Sequence, residues 1–369
     1  MRIDSVEIYR VAMPLIYPFR TAYGNTDVIE SVLVKLVSGE FYGWGESCSW
    51  ESPAYSAEFA ESHFIVARKF IAPSLIGKDI VSGKQMQQEM SWIKGNFFAK
   101  GGFDMAWWDL YAKLQGKPLW QVLGGRGPEV EAGADFGVME TIDLLIGEIR
   151  KAVTSGYKRV KLKYRPGWDL DMVTAVRKAF PNLVMHIDCN SAYTLADTDM
   201  FKKLDMFNLA MIEQPLMCDD LIDHAALQAQ IKTPICLDES ITSVARARKA
   251  MQMKSCRWIN LKPGRVGGIT NLLEINEIAA QAGIPCWVGS MLESSVGGNF
   301  IIALSSLPNI KYPCDIFPTS RFFKRDLGKP EMLHSAPSKF RAIDAPGIGA
   351  EPDPEMLEKE TLNKEVISD

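Results

Sequence analysis

The sequence lacks the features that mark several large classes of protein. Lysine and arginine together number 41 against 45 aspartate and glutamate residues, so the chain has no basic excess with which to bind nucleic acid. Its seven cysteines are odd in number and form no Cys-x-x-Cys pair, which predicts a reducing compartment and no disulfide framework. No apolar run is long enough to cross a bilayer, and the first residues lack the apolar block of a signal peptide. We therefore expect a cytoplasmic protein with no nucleic-acid or membrane partner.

What is present is the composition of a folded globular protein. Of the 369 residues, 47% are hydrophobic and 23% are charged. This length predicts two domains, or one barrel-sized domain with an added module. Strand-like alternation from residue 3 to about residue 36, broken at 18–26 by a predicted loop, precedes a helical pattern at 102–113. A run of helix breakers at 123–128 ends this α+β segment, so we place the first domain at residues 1–125.

The rest of the chain repeats a strand and a helix at a nearly constant step. Short apolar runs end at five ionisable residues that lie 25, 25, 25 and 24 residues apart, namely Lys163, Asp188, Glu213, Asp238 and Lys262. Such a step is typical of successive βα units. No glycine-rich phosphate turn follows the early strands, so we favour a (β/α) barrel at residues 126–320 over an open dinucleotide-binding sheet. Residues 321–369 are expected to pack back on the first domain and to end in a solvated acidic tail.

The acidic residues at three of the five strand ends predict a metal site. Side chains at the carboxyl ends of parallel barrel strands converge on one cavity. Any one of them alone is most simply a charged residue at a strand exit, but three converging carboxylates would repel one another without a cation. Asp188, Glu213 and Asp238 offer oxygen ligands only, which suits Mg²⁺ first and Mn²⁺ second. His186 and Cys189 flank the first of these acids and are interpreted as packing residues.

The lysines on either side of the carboxylates predict proton transfer next to a substrate carboxylate. Removing a proton α to a carboxylate produces a dianionic enediolate, which a divalent cation stabilises. Lys161 and Lys163 are two residues apart on one strand and both face the cavity, Lys163 as the base and Lys161 as the partner of the substrate carboxylate. Lys262 approaches from the far side. Two bases on opposite faces of the α-carbon would invert that centre, whereas a β-hydroxyl group on the substrate would make the outcome dehydration.

The same residues carry a family resemblance. It rests on Lys161-Leu-Lys163, Asp188-Cys-Asn190, Glu213-Gln-Pro215, Asp238-Glu239 and Lys262-Pro-Gly-Arg-Val-Gly-Gly268. These motifs resemble the muconate-lactonizing-enzyme subgroup of the enolase superfamily, in which a Lys or His base works with Mg²⁺. The resemblance covers almost the whole chain, and it implies a modified TIM (β/α) barrel with an α+β N-terminal capping domain.

Within that subgroup the chain is most similar to the o-succinylbenzoate synthase and N-succinylamino acid racemase group. The resemblance implies that Asp188, Glu213 and Asp238 bind the metal and that Lys163 and Lys262 are the acid and the base. It further implies substrate-binding roles for Lys161, Asn190, Phe19, Tyr23, Arg265, Ser290, Met291 and Leu292.

Two features of the sequence leave the identity of the substrate undecided. Arg265 resembles an arginine associated with the racemases of the group, and it is equally well interpreted as a surface residue that caps a neighbouring element. Ser295, Gly298 and Cys314 depart from the pattern of the group in or near the pocket that would hold a succinyl arm.

Several activities fit these residues. Racemisation of an N-succinylamino acid or another N-acyl amino acid is the first, o-succinylbenzoate synthesis in the menaquinone pathway is the second, and dipeptide epimerisation is the third. A dipeptide epimerase usually carries an Asp-x-Asp pair, which is missing near Ser290. From other classes, a Schiff-base aldolase would use a barrel lysine with structural acids, and a non-catalytic binding protein would have lost a metal ligand or a lysine. We also expect a small-molecule carboxylate as the substrate and a homo-oligomer as the assembly.

Overall fold

An antiparallel sheet near the N-terminus and a parallel sheet further along the chain form the framework of the protein. The computed structural model describes residues 1–21 and 24–368. Within these residues the strands are β1 (Ser5–Thr21), β2 (Gly24–Ser38), β3 (Phe41–Cys48), β4 (Glu129–Glu131), β5 (Ala134–Phe136), β6 (Arg159–Lys163), β7 (Val184–Asp188), β8 (Ile212–Glu213), β9 (Ile235–Leu237), β10 (Trp258–Leu261), β11 (Cys286–Val288), β12 (Gly328–Lys329), β13 (Lys339–Arg341), β14 (Glu351–Pro352) and β15 (Thr361–Ser368).

The helices of the same residues alternate with these strands. They are α1 (Ala60–Val66), α2 (Ala72–Leu75), α3 (Gly83–Glu89), α4 (Phe97–Leu114), α5 (Leu119–Val122), α6 (Ile142–Thr154), α7 (Leu170–Ala179), α8 (Thr198–Leu204), α9 (Leu221–Gln228), α10 (Val244–Met253), α11 (Pro263–Val266), α12 (Ile269–Gln281), α13 (Ser295–Ser305) and α14 (Pro354–Glu360). Ala67–Ile71 forms a π-helical turn, and Leu195–Asp197, Asp205–Phe207 and Thr319–Arg321 form 3₁₀ turns. None of these helices is both long and apolar enough to cross a membrane.

The antiparallel sheet has the strand order β15-β1-β2-β3. β1 and β2 pair along most of their length, and after a register shift between Pro14 and Phe19 they pair again from Phe19 with Thr26 to Thr21 with Gly24. The predicted loop at 18–26 is therefore wrong, because the two strands extend through most of it. A register shift interrupts the apolar alternation without ending the main-chain pairing, so the sequence pattern alone suggested a break.

Two glycines let helix α4 pack directly against strand β3. Gly43 and Gly45 are two residues apart and therefore lie on one face of the strand. A Cβ atom at Gly43 would lie 2.2 Å from Ala106 O, and one at Gly45 would lie 2.1 Å from Gly102 O. The close contact with the helix backbone leaves the other face of β3, which carries Glu46, directed toward the second domain.

The parallel sheet has the strand order β11-β10-β9-β8-β7-β6-β5. The segment 310–315 pairs with the edge strand β11, where Asp315 N donates to Val288 O at 3.0 Å, and with the residues just before the other edge strand β5, where Gly133 N donates to Cys314 O at 2.9 Å. The sheet thus curls into a barrel wall whose carboxyl ends share one rim. This architecture confirms the predicted modified (β/α) barrel preceded by an α+β domain.

The C-terminal segment returns to the N-terminal sheet. Strand β15 pairs antiparallel with β1, from Ser5 with Ser368 to Val11 with Thr361. An ion pair of 3.3 Å between Arg68 and Glu365 joins the strand to the neighbouring helical segment. Most side chains of residues 361–368 are exposed, and main-chain pairing makes these residues the edge strand of the sheet.

Buried carboxylates of the first domain hold the N-termini of two barrel helices. Glu46 accepts hydrogen bonds from Ser294 N at 3.1 Å, Ser294 Oγ at 2.5 Å and Gly297 N at 2.8 Å, at the start of α13. Asp104 of α4 accepts from Thr270 N at 2.9 Å and Thr270 Oγ1 at 2.7 Å, at the start of α12. Burial raises the pKa of Glu46 to about 7 and that of Asp104 to about 6, and the hydrogen bonds offset only part of the effect.

Glu46 makes the stability of the protein depend on pH. Its folded-state pKa of about 7 exceeds the ordinary value of 4.5, so its contribution to the free energy of unfolding is complete below pH 4.5 and is lost as the pH rises to about 7. We expect the free energy of unfolding of the wild type to fall by roughly 3 kcal/mol relative to that of Glu46→Gln across this window. Urea unfolding of both proteins at a series of pH values measures it.

The exposed Glu40, in the turn after β2, provides a control for this prediction. Glu40→Gln removes a carboxylate from the same sheet without touching α13, so its stability difference from the wild type should stay flat over the same range. A flat difference for Glu46→Gln as well would show that the buried carboxylate does not titrate between the folded and unfolded states as inferred.

Candidate active site

A narrow cavity of about 40 Å³ lies where the carboxyl ends of the barrel strands meet the first domain. It is lined by Phe19, Trp50, Tyr55, Asp135, Lys161, Lys163, Asp188, Asn190, Lys262, Ser290, Met291, Leu292, Asp315 and Phe317. The structure therefore brings most of the residues singled out from the sequence to one cavity. Glu213, Asp238 and Arg265 lie behind its wall, and Tyr23 lies outside the described residues.

Strand β6 carries two lysines that face the same acids. Lys163 Nζ lies 2.7 Å from Asp188 Oδ2. Lys161 Nζ lies 3.1 Å from the same oxygen, 2.9 Å from Glu213 Oε2 and 3.3 Å from Asp315 Oδ2. Burial alone would lower the pKa of Lys161, but these three carboxylates outweigh burial and hold that pKa well above its ordinary value. These carboxylates therefore favour the ammonium form of Lys161.

Lys262 reaches the cavity from another part of the wall. Its Nζ lies 2.9 Å from Asp238 Oδ2, 3.2 Å from Tyr55 Oη and 3.5 Å from Met291 Sδ. It extends from the end of β10, and β9, β8 and β7 separate β10 from β6 in the sheet. The structure thus places Lys163 and Lys262 on different carboxylates, at opposite ends of the row of acids.

The neighbours of Lys262 set the pKa of its side chain. Burial lowers the pKa of this side chain, but Tyr55 and the carboxylates of Glu239 and Glu213 outweigh burial, and the pKa lies above its ordinary value. Lys161 lowers the same pKa, but the acidic partners that the fold brings together favour the ammonium form.

The three acids of the row occupy successive strand ends. Asp188 and Glu213 are register partners on β7 and β8, and Asp238 follows β9 directly. Burial alone would raise the pKa of Asp188, but Lys161 and Lys163 outweigh it and hold that pKa far below its ordinary value. In residues 1–21 and 24–368, no three His, Cys, Asp or Glu side chains are grouped closely enough to hold one ion. Ammonium and guanidinium groups of the chain lie against each acid instead.

The donor set nevertheless fits a hard divalent cation by its chemistry. All three acids are buried, and all offer oxygen. Glu213 Oε2 is enclosed and lies 2.9 Å from Lys161 Nζ and 3.5 Å from His186 Nε2. The other oxygen, Glu213 Oε1, accepts from Asn260 Nδ2 at 2.7 Å, which orients the carboxylate. A single metal shared by the three acids remains a prediction.

Arg265 is deeply buried, so its interpretation as a surface residue is wrong. It is 2% exposed. Its guanidinium forms an ion pair with Asp238 and donates to Ile241 O at 2.8 Å and Asn260 O at 2.6 Å. The side chain therefore supports one of the acids and does not line the cavity.

The segment Ser290–Leu292 closes one side of the cavity. Ser290 Oγ donates to Glu293 at 2.7 Å, and Met291 O accepts from Trp50 Nε1 at 2.9 Å, which connects this barrel loop to the first domain. Of the three departures from the family pattern, Gly298 makes room for Met332, whose Sδ would lie 2.0 Å from an added Cβ. Phe19 lines the cavity from β1.

Asn190 is oriented by a neighbouring acid. Its Nδ2 donates to Glu239 Oε1 at 3.2 Å, and its main-chain N donates to Asp188 Oδ1 at 3.0 Å. The amide therefore stands at the cavity wall next to the row of acids, and its role toward a substrate carboxylate remains a prediction.

Sequence reasoning missed Asp315, Asp135 and Tyr55. Asp315 pairs with Arg159 at 2.9 Å as well as with Lys161, and it stands at the end of the segment that completes the barrel wall. Extending the constant strand step beyond Lys262 and before Lys163 would have pointed to the neighbourhoods of Asp315 and Asp135. Tyr55 comes from a loop of the first domain, and no periodic signal indicates it.

Known proteins resemble this chain over its whole length. Residues 3–124 match the family model for the mandelate racemase / muconate lactonizing enzyme N-terminal domain, and residues 145–356 match the enolase C-terminal domain-like model. An o-succinylbenzoate synthase from Geobacillus kaustophilus is 42% identical, covering 98% of this chain and 96% of that protein. An N-succinylamino acid racemase from Amycolatopsis sp is 37% identical, covering 99% of each. The crystal structure of an enolase superfamily member from Listeria innocua has a TM-score of 0.96 at 36% identity, covering 100% of this chain and 99% of that one.

The protein is a barrel enzyme with a capping domain. This class is defined by the curled parallel sheet, the α+β domain over its rim and the ionisable residues at the strand ends. More particularly, the chain belongs to the enolase superfamily, in the mandelate racemase / muconate lactonizing enzyme family.

Proposed function

We propose that the enzyme moves a proton at the carbon α to a substrate carboxylate and racemises an N-succinylamino acid or another N-acyl amino acid. The observation that carries this proposal is the placement of Lys163 and Lys262 at opposite ends of the row of acids, both lining one cavity. Two bases so arranged can reach opposite faces of one α-carbon.

Each lysine has a distinct task in this proposal. Lys163 takes the α-proton from one face, and Lys262 returns a proton to the other; the roles exchange for the opposite enantiomer. Lys161, which stays charged among three carboxylates, pairs with the substrate carboxylate. A divalent cation, Mg²⁺ first and Mn²⁺ second, held by Asp188, Glu213 and Asp238, would supply positive charge to stabilise the enediolate.

The second candidate is o-succinylbenzoate synthesis. A relative of that name is 42% identical, against 37% for the named racemase. The same residues could serve both reactions, since the enediolate of a β-hydroxy acid loses water. The substrate decides which outcome follows.

Proton exchange in D₂O tests the proposal. With Mg²⁺ present, we expect the enzyme to introduce deuterium at the α-carbon of both enantiomers of at least one N-acyl amino acid, and NMR measures it. Dehydration of the hydroxy-acid precursor of o-succinylbenzoate, with no α-exchange in any N-acyl amino acid, would overturn racemisation as the activity and establish the second candidate.

A further inference from the structure

Asp135 occupies the first strand end of the barrel. It lies in β5 and is the register partner of Lys161 on β6. It lines the catalytic cavity, and it also lines an outer cleft of about 600 Å³ together with Phe19, Phe136 and Arg321. A ligand that fills the cavity and continues into the cleft must therefore pass this carboxylate.

Among the acids that line the described part of the cavity, Asp135 differs in having no cationic nitrogen within 4.0 Å, and only a longer-range electrostatic interaction joins it to Lys161. Asp188 is paired with Lys161 and Lys163, and Asp315 is paired with Arg159 and Lys161. Within residues 1–21 and 24–368, no lysine, arginine or histidine nitrogen forms an ion pair with Asp135, and its enclosed Oδ1 accepts no hydrogen bond.

Arg321, which contacts the main chain of Asp135, has other partners for its guanidinium. Arg321 Nη2 donates to the main-chain oxygen of Asp135 at 2.5 Å. Its guanidinium also lies 4.7 Å from the centre of the Phe317 ring and 5.2 Å from that of Phe322. These contacts hold the backbone of Asp135 in place and leave its carboxylate as an oriented acceptor.

Enclosing a carboxylate oxygen without a hydrogen-bond donor costs free energy, and a ligand that donates a hydrogen bond to it removes this cost. Asn190 Oδ1 is a second enclosed acceptor on this wall, but an amide can rotate to present its donor, whereas an ionised carboxylate only accepts. The chemistry of the wall at Asp135 therefore selects a substrate with a hydrogen-bond donor.

We propose that Asp135 accepts the amide N–H of the substrate and thereby determines specificity for N-acyl amino acids. The inference rests on the proposed racemase function and deepens it, because o-succinylbenzoate and its precursor contain no nitrogen. A site built around a substrate N–H discriminates strongly against an isostere that lacks it, since the acceptor is then left buried and unpaired.

Matched substrates test this assignment. For an N-acetyl amino acid and the ester isostere in which oxygen replaces the N–H, α-deuterium exchange in D₂O gives kcat/KM for each. We expect Asp135→Ala to lower kcat/KM for the amide by about 10- to 100-fold and to change that for the ester by less than about 3-fold. Asp135→Asn, which keeps a carbonyl acceptor, should recover part of the loss. Glu140→Gln removes an exposed carboxylate of the outer cleft and should leave the ratio of amide to ester unchanged.

The outcomes separate this inference from the proposed function. An equal loss for amide and ester in a folded Asp135→Ala or Asp135→Asn protein would overturn the role in specificity while racemisation stands. Failure of the wild type to exchange the α-proton of any N-acyl amino acid would overturn the proposed function itself. If the alanine variant does not fold, the asparagine variant carries the same comparison.

Discussion

Replacement of Lys163 or Lys262 by alanine should abolish racemisation while the protein stays folded. A positioned general acid or base contributes about 10²- to 10⁴-fold to a rate, and racemisation needs both lysines, so each variant should lose at least about 10³-fold in kcat. The fold should survive because each acid keeps a second cation: Asp188 keeps Lys161 at 3.1 Å, and Asp238 keeps Arg265.

Stereospecific exchange sharpens this test. In D₂O, any α-exchange that remains should occur on opposite enantiomers in the two variants, because each retains the base on one face only. Lys158→Ala, whose side chain is 77% exposed at the other end of β6, is the matched control and should turn over normally. Near-normal turnover of both enantiomers by either active-site variant would refute the two-base assignment, and circular dichroism checks the fold.

Metal removal should have an effect of similar size. We expect EDTA to abolish proton exchange and added Mg²⁺ to restore it, with Mn²⁺ as the second choice. Glu213→Gln should lose both Mg²⁺ binding, measured by calorimetry, and activity, because a neutral amide replaces the carboxylate and binds a divalent cation more weakly.

Asp315→Asn provides the comparison for this variant. Asp315 is buried and contacts Lys161 as Glu213 does, but it lies outside the row of proposed ligands. The variant should therefore still bind Mg²⁺. Full activity in EDTA together with inactivation by borohydride would instead indicate a Schiff-base lysine and would contradict the metal site.

The sequence predicted which residues lie at the strand ends because parallel barrel strands return to the same rim after each helix. A step of about 25 residues therefore places Lys163, Asp188 and Glu213 beside one another without any knowledge of contacts. The same regularity predicted the barrel.

The spacing of the strands could not predict which charged side chains form ion pairs with one another. The ammonium form of Lys161 is favoured because the fold surrounds it with three acids, one of which, Asp315, is 154 residues away along the chain. Arg265 is buried against Asp238, although its position in the sequence fitted a surface residue equally well. Burial and pairing depend on distances in space, which periodicity does not contain.

The sequence by itself determined the order of elements and the residue types at the rim, because apolar periodicity is a local property of each strand and helix. Only the tertiary structure decided which acids of the described residues form no close ion pair, as at Asp135, and which are buried at helix ends, as at Glu46. The physical reason is that desolvation and ion pairing are set by neighbours from distant parts of the chain, and these meet only after the strands have assembled.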